Sequence, residues 1–269
     1  MPCFLHRAPS ILLAAAKTSM TPASPASGGT PASAGPADPA LIEDLVAANR
    51  ILADQGVLDG YGHVSVRHPK NPQRYLLSRS RAPELVTAED IMEFDLDSTP
   101  VDQRGRTMYL ERFIHGEIFK ARPEVNAIVH SHSPSVVPFG VSNVPLRPIY
   151  HMSAFLAEGV PIFEIRDAAG MTDLLVRDPQ LGRALAKSLA AKPIALMRGH
   201  GSVVVGDTVP VAVYRAVYTE VNARLQAQAI GLGGSIIYLE TEEGRLATTN
   251  IMATIGRPWE LWKRKALAR

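Results

Sequence analysis

The order of apolar and polar residues divides the chain into alternating helical and extended segments. Leu41, Leu45, Ala48 and Leu52 recur at the spacing of one helix face, with Asp38-Pro39 as the start signal and Gly56 as the stop. His63-Val64-Ser65-Val66-Arg67 alternates with period two, which predicts a strand with His63, Ser65 and Arg67 on one face. Residues 75–78 read as its partner strand. Thr87 to Asp90 resembles a capping box for a short helix ahead of a strand at 92–95. Residues 111–122 read as a helix stopped by Pro123, and 127–132 as a strand. Asp178-Pro179 caps a helix that runs to about Ala191. Strands at 194–197 and 202–205 flank Arg198-Gly199-His200-Gly201. Asp207 is expected to cap a long helix to about Ile230, followed by a late strand at 236–240 and a last helix at 258–268.

Helices and strands interleave, yet several strands are joined by short turns. That favours an α/β fold with a mixed, largely antiparallel sheet covered by helices. No internal repeat and no second core is found, so residues 38–269 are expected to form one domain. Residues 1–37 are expected to be a disordered leader: 21–36 are mostly Pro, Ala, Ser, Gly and Thr. The apolar run at 11–16 is short for a signal peptide, and Met20 is an alternative start.

Composition narrows the classes. Of 269 residues, 46% are hydrophobic and 20% charged, an ordinary globular balance. A formal net charge of +2 is too small to argue for nucleic acid or an anionic membrane as partner. No stretch approaches the roughly 20 apolar residues of a spanning helix. The one cysteine, Cys3, excludes an internal disulfide and fits a reducing, cytoplasmic compartment.

The candidate chemistry lies in three short segments. In Val129-His130-Ser131-His132-Ser133, two imidazoles share one strand face, about 7 Å apart along it, and can converge on one cation. His200 sits between Gly199 and Gly201, in a tight turn able to aim the ring. Glu111 opens the helix that feeds the His130 strand. Each has an ordinary alternative: paired polar strand ends, a plain turn residue, a favourable charge at a helix N-terminus. Together, three neutral imidazoles leave a divalent cation with open positions, and a nearby carboxylate can ligate it or move protons.

The order Glu111, His130-x-His132, His200-Gly201 resembles the class II aldolase/adducin family. The separation of Glu111 from His130 matches its sugar-phosphate aldolases. Residues 122–133 resemble its metal-strand signature, and Arg198-Gly199-His200-Gly201 its Asn-His-Gly turn, with Gly199 where Asn is usual. The resemblance covers roughly 41–262. It implies a three-layer α/β/α sandwich, a divalent cation on His130, His132 and His200, and a homotetramer with sites near subunit interfaces. Sequence does not choose among Mn, Zn, Fe and Co. Adducin-like members lack the metal histidines, which this chain has.

The departures concern the substrate. The family's phosphate-binding Gly-Asn-x-Ser segment reads Gly62-His63-Val64-Ser65 here, and its Ser-Ser pair before the Glu reads Tyr109-Leu110. Losing those hydroxyls removes phosphate donors and adds apolar surface, so an unphosphorylated and flat substrate is expected. Ser78-Arg79-Ser80-Arg81 offers guanidinium forks for carboxylates, or is a solvated basic turn. His63 and His151 are expected to line the pocket, His115 to pack or to pair with Glu111, and His68 to lie on the surface.

Residues 59–69, with Tyr150-His151-Met152, are similar to the family branch of hydroxylated aromatic dicarboxylate decarboxylases. That branch implies release of carbon dioxide, with Glu111 or His63 delivering a proton to the ring carbon. Ser78, Arg79, Arg81, Tyr109 and His151 would contact the small-molecule substrate. Aldol cleavage of a hydroxy-keto compound, oxygenation by non-haem iron, and a non-catalytic adducin-like scaffold remain the alternatives.

Overall fold

A computed structural model of the chain describes residues 30–268. Helix α1 (Pro39–Asp54) begins as its sequence dictates: the Asp38 carboxylate accepts the Ala40 amide and Pro39 supplies the first turn. Strands β1 (His63–Arg67), β2 (Arg74–Ser78) and β3 (Ile91–Asp95) follow, the first two joined by a short turn and the last two by a longer connection with two 3-10 turns. The Thr87–Asp90 box closes reciprocally around one 3-10 turn, Ala88–Asp90. Helix α2 (Phe113–Ala121) leads into β4 (Ala127–Ser131), then α3 (Val137–Val141), β5 (Ile162–Phe163) and α4 (Ile165–Ala169). Helix α5 (Pro179–Leu189), strands β6 (Ile194–Met197) and β7 (Gly201–Gly206), and helices α6 (Val209–Gly231), α7 (Thr241–Met252) and α8 (Gly256–Leu267) complete the order.

The sheet has seven strands in the order β3-β2-β1-β4-β7-β6-β5. Only the β5–β6 pair is parallel, so the sheet is mixed and largely antiparallel. Alternation along the strands splits the core into two layers. Val64, Val66, Ala127, Val129 and Val204 pack under α1, α6 and α8. Tyr75, Leu77, Ile128, Val203 and Val205 pack under α2 and α5. The expected α/β/α sandwich is therefore formed. His63, Ser65 and His130 belong to the α2 face by the same parity.

Four expectations need correction. Residues 236–240 form no strand. Both sheet edges, β3 and β5, lie elsewhere, Ile237 is 92% exposed, and the segment leads into α7, which the pattern did not predict. The long helix is capped by Thr208, whose hydroxyl accepts the Val211 amide, not by Asp207. Glu111 is not inside an α-helix. It sits in a 3-10 turn, Leu110–Arg112, with non-helical φ −90° and ψ 18°, and α2 starts at Phe113. His68 is buried, with Nε2 3.1 Å from the Gly35 carbonyl and Nδ1 accepting the Lys70 amide.

Most of the expected leader lies outside the described residues. Its last part runs along β2 and β3: Ser33 bonds Glu93, and Arg74 bonds the Ala32 carbonyl. Ordered contacts thus begin before Asp38. Cys3 and His6 lie outside the described residues, and no helix of the described chain is long and apolar enough to cross a membrane.

Candidate active site

The β1–β4 register sets His63 opposite His130, and β4–β7 sets His130 opposite Val203. His132 continues the same face just past the end of β4, and the β6–β7 turn brings His200 alongside. That turn depends on its glycines. Gly199 has φ +64°, a left-handed conformation other residues rarely adopt. A Cβ at Gly201 would meet the Ser131 carbonyl oxygen at 2.0 Å, so only glycine lets β7 approach β4 there.

One ligand atom from each of Glu111, His130, His132 and His200 lies within 4.8 Å of the others. The His200 Nε2 is 3.0 Å from His132 Nε2 and 3.3 Å from Glu111 Oε2. The His130 Nε2 is 3.4 Å from Glu111 Oε2 and, although buried, makes no hydrogen bond among the described residues. Their partners assign the ring protons. The His130 Nδ1–H donates to the Ser202 carbonyl at 3.1 Å and the His200 Nδ1–H to the Leu174 carbonyl at 3.0 Å. Both Nε2 lone pairs therefore face Glu111. Leaving a buried acceptor unpaired costs about 1–3 kcal/mol. A divalent cation answers that cost, and three imidazoles with one carboxylate are donors that suit it.

Glu111 is fixed by the Val176 amide, which donates to Oε1 at 2.9 Å. Burial alone would raise its carboxyl pKa, but positive charge on the His130 and His200 side, whether a ring proton or a bound cation, outweighs burial and holds it well below the usual carboxylate range. Burial, then the charges of His130 and His200, pull the His132 imidazole down to about 4.

A cleft of about 400 Å³ opens over this cluster. Its walls include His63, Arg81, Tyr109, Glu111, His130 and His132. The Tyr109 ring lies 4.5 Å from that of His63. Its hydroxyl donates to the Arg81 carbonyl at 2.5 Å and is bonded to Ser78 Oγ at 3.2 Å, so the ring, not the hydroxyl, is offered to a ligand. Ser78 is buried beneath it and does not line the cleft.

Arg79 and Arg81 both pair with Asp90, at 2.5 and 3.0 Å. Arg81 uses Nη1 for that pair, makes no other side-chain hydrogen bond among the described residues, and reaches the cleft wall; Arg79 does not line it. Burial would raise the Asp90 pKa, but the two arginines and Thr87 hold it down at about 2. His151 is exposed and lines a separate cleft with Tyr214, Tyr218 and Arg257. Arg67 shares the His63 face as expected, but there it is bonded to the carbonyls of Phe119, Arg122 and Val125 and does not line the cleft.

The residues missed from sequence are apolar or backbone. Tyr61, Met108 and Leu175 line the cleft beside Tyr109 and Leu110, and the Val176 amide and Leu174 carbonyl hold Glu111 and His200. The segment at 174–176 carries no polar side chain, so nothing in its residue types marks it. Tyr61, 71% exposed on a glycine-flanked turn, was the legible one.

With this geometry, the class of protein follows. Residues 43–227 match the family model described as Class II Aldolase and Adducin N-terminal domain, and the chain belongs to that family. It is 36% identical over 247 residues to decarboxylase tropJ of Talaromyces stipitatus, covering 83% of this chain and 93% of that protein. It is 32% identical to the 3,4-dihydroxyphthalate decarboxylase of Arthrobacter keyseri, over 72% of this chain and 80% of the relative. Among solved structures, L-fuculose 1-phosphate aldolase from Glaciozyma antarctica superposes with a TM-score of 0.69 at 26% identity, covering 84% of this chain and 88% of that one. Relatives named as decarboxylases support a lyase-type enzyme.

Proposed function

We propose that the protein is a divalent-metal-dependent decarboxylase of a hydroxylated aromatic mono- or dicarboxylate. The observation that carries this reading is the convergence of Glu111 and three Nε2 atoms beneath a cleft walled by Tyr109, His63, Met108 and Leu110. The names of the decarboxylase relatives agree with it. Bound at His130, His132 and His200, the cation would supply Lewis acidity toward the substrate's oxygen atoms.

The chain's own residues do the rest. The Tyr109 ring and the apolar wall take the flat ring of the substrate and exclude water. Arg81 holds a carboxylate with the guanidinium hydrogens not used by Asp90. Glu111, ionised at rest, takes the proton of the ring hydroxyl. It returns that proton to the ring carbon as the carbon–carbon bond breaks and carbon dioxide leaves. The phenolate left behind takes its proton from water. In this reading the protein is a homotetramer, and His151, remote from the cleft of its own chain, serves the cleft of a neighbouring copy.

The test is metal analysis of purified protein followed by a screen of hydroxylated aromatic acids. Carbon dioxide release that stops on chelation and returns with added cation is expected. Turnover indifferent to chelation would overturn the reading. Aldol cleavage or dioxygen uptake in parallel assays would reassign the reaction.

A further inference from the structure

Ser65 and His115 have no part in the cation cluster, yet both are fully buried on the face that carries it. Ser65 lies two residues along β1 from His63, so the strand's period of two aims both side chains at α2. There His115 meets them. Its Nδ1 is 2.6 Å from Ser65 Oγ and its Nε2 is 2.6 Å from His63 Nδ1. The Tyr75 ring stacks against it at 6.3 Å and limits its rotation. Both nitrogens of His115 are thereby engaged. The Nε2 of His63 makes no hydrogen bond among the described residues, and its ring lines the cleft.

The direction of this chain is decidable. Among the described residues, the Ser65 hydroxyl has His115 Nδ1 as its one hydrogen-bond partner. Were Ser65 the acceptor, its own hydrogen would be buried without a partner, the costlier alternative. Ser65 therefore donates to His115 Nδ1. His115 then carries its proton on Nε2 and donates it to His63 Nδ1. Only one proton fits in a 2.6 Å contact between two ring nitrogens. His63 is left with its proton on Nε2, on the cleft side.

We propose that Ser65 and His115 are positioning residues that lock His63 as its Nε2–H tautomer, making it a hydrogen-bond donor to substrate and barring it from the cation. The role of that donor rests on the decarboxylase reading: it faces the substrate oxygen on which charge grows as carbon dioxide leaves. The tautomer itself does not depend on that reading. It also explains why five histidines crowd one face while three converge: His130 and His200 are tied at Nδ1 and present lone pairs, whereas His63 presents a proton and His115 is engaged at both nitrogens.

The experiment records long-range nitrogen–proton spectra of the histidines in the full-length, zinc-loaded protein without substrate, for the wild type, Ser65→Ala and Ser65→Thr. His63 and His115 are expected as single Nε2–H tautomers in the wild type. They are expected as tautomer mixtures in Ser65→Ala, and as the wild-type pattern again in Ser65→Thr. On an accepted substrate, Ser65→Ala should lower kcat roughly ten-fold, the loss of one oriented hydrogen bond, with KM and bound metal unchanged. An Nδ1–H tautomer at His63 in the wild type, or tautomers indifferent to Ser65→Ala, overturns the proposal. So does a variant that loses only thermal stability while its folded fraction keeps full kcat. If the tautomers behave as stated but no hydroxylated aromatic acid is turned over, the decarboxylase reading fails and the positioning stands.

Discussion

His130 and His200 are held by backbone carbonyls, those of Ser202 and Leu174, whereas His63, on the same sheet face, is held by the side chain of His115, which is in turn held by Ser65. A carbonyl accepts and never donates, so it can only select the tautomer with a free Nε2 lone pair. A hydroxyl or a second imidazole can do either, so the state of His63 depends on a chain of choices. The orientation of the candidate cation ligands is thus built into the path of the main chain, out of reach of most single substitutions. The donor side of the cleft is built from side chains and is open to change one residue at a time.

Removing one histidine from each group separates the two. The largest effect is expected from His130→Ala: metal retention and turnover are lost together, measured by metal analysis and carbon dioxide release on the same sample. Full activity in a metal-free variant would sink the metal-dependent reading. His63→Ala should keep its metal and lose about a hundred-fold in kcat, the scale of an oriented donor to a developing charge. If it loses its metal instead, the two groups are one.

The smallest effect tests the wall opposite the histidines, where Asp90 ties Arg79 and Arg81. Its pKa is depressed from 3.8 to about 2, so its stabilisation is full above the unfolded value and fades as pH falls toward 2. Asp90→Asn should cost about 1–2 kcal/mol near neutral pH and leave less acid sensitivity between pH 4 and 2, read by denaturant unfolding across pH. An unchanged pH profile would mean the arginines do not depend on Asp90.

Legibility of the fold in the sequence followed the same division between local and distant causes. Asp38, Thr87 and Asp178 were readable as caps because a cap acts within three residues. Residues 236–240 looked like a strand because their pattern suits one. A strand needs a neighbour, and both sheet edges lie elsewhere. Glu111 was read as a candidate acid/base and assigned to a helix; the kink that aims it answers to the Val176 amide, 65 residues away. His68 was read as surface because the turn before Pro69 looks polar, and residues 30–37 fold back over it.

The sequence by itself determined which side chains share a face: a strand's period of two sets His130 with His132, and His63 with Ser65. It also determined that three imidazoles and a carboxylate were on offer in the order the family uses. Only the tertiary structure decided which nitrogen of each ring carries the proton. That depends on partners 52 residues from His63 and 72 from His130, and sequence periodicity carries no information about contacts at that distance.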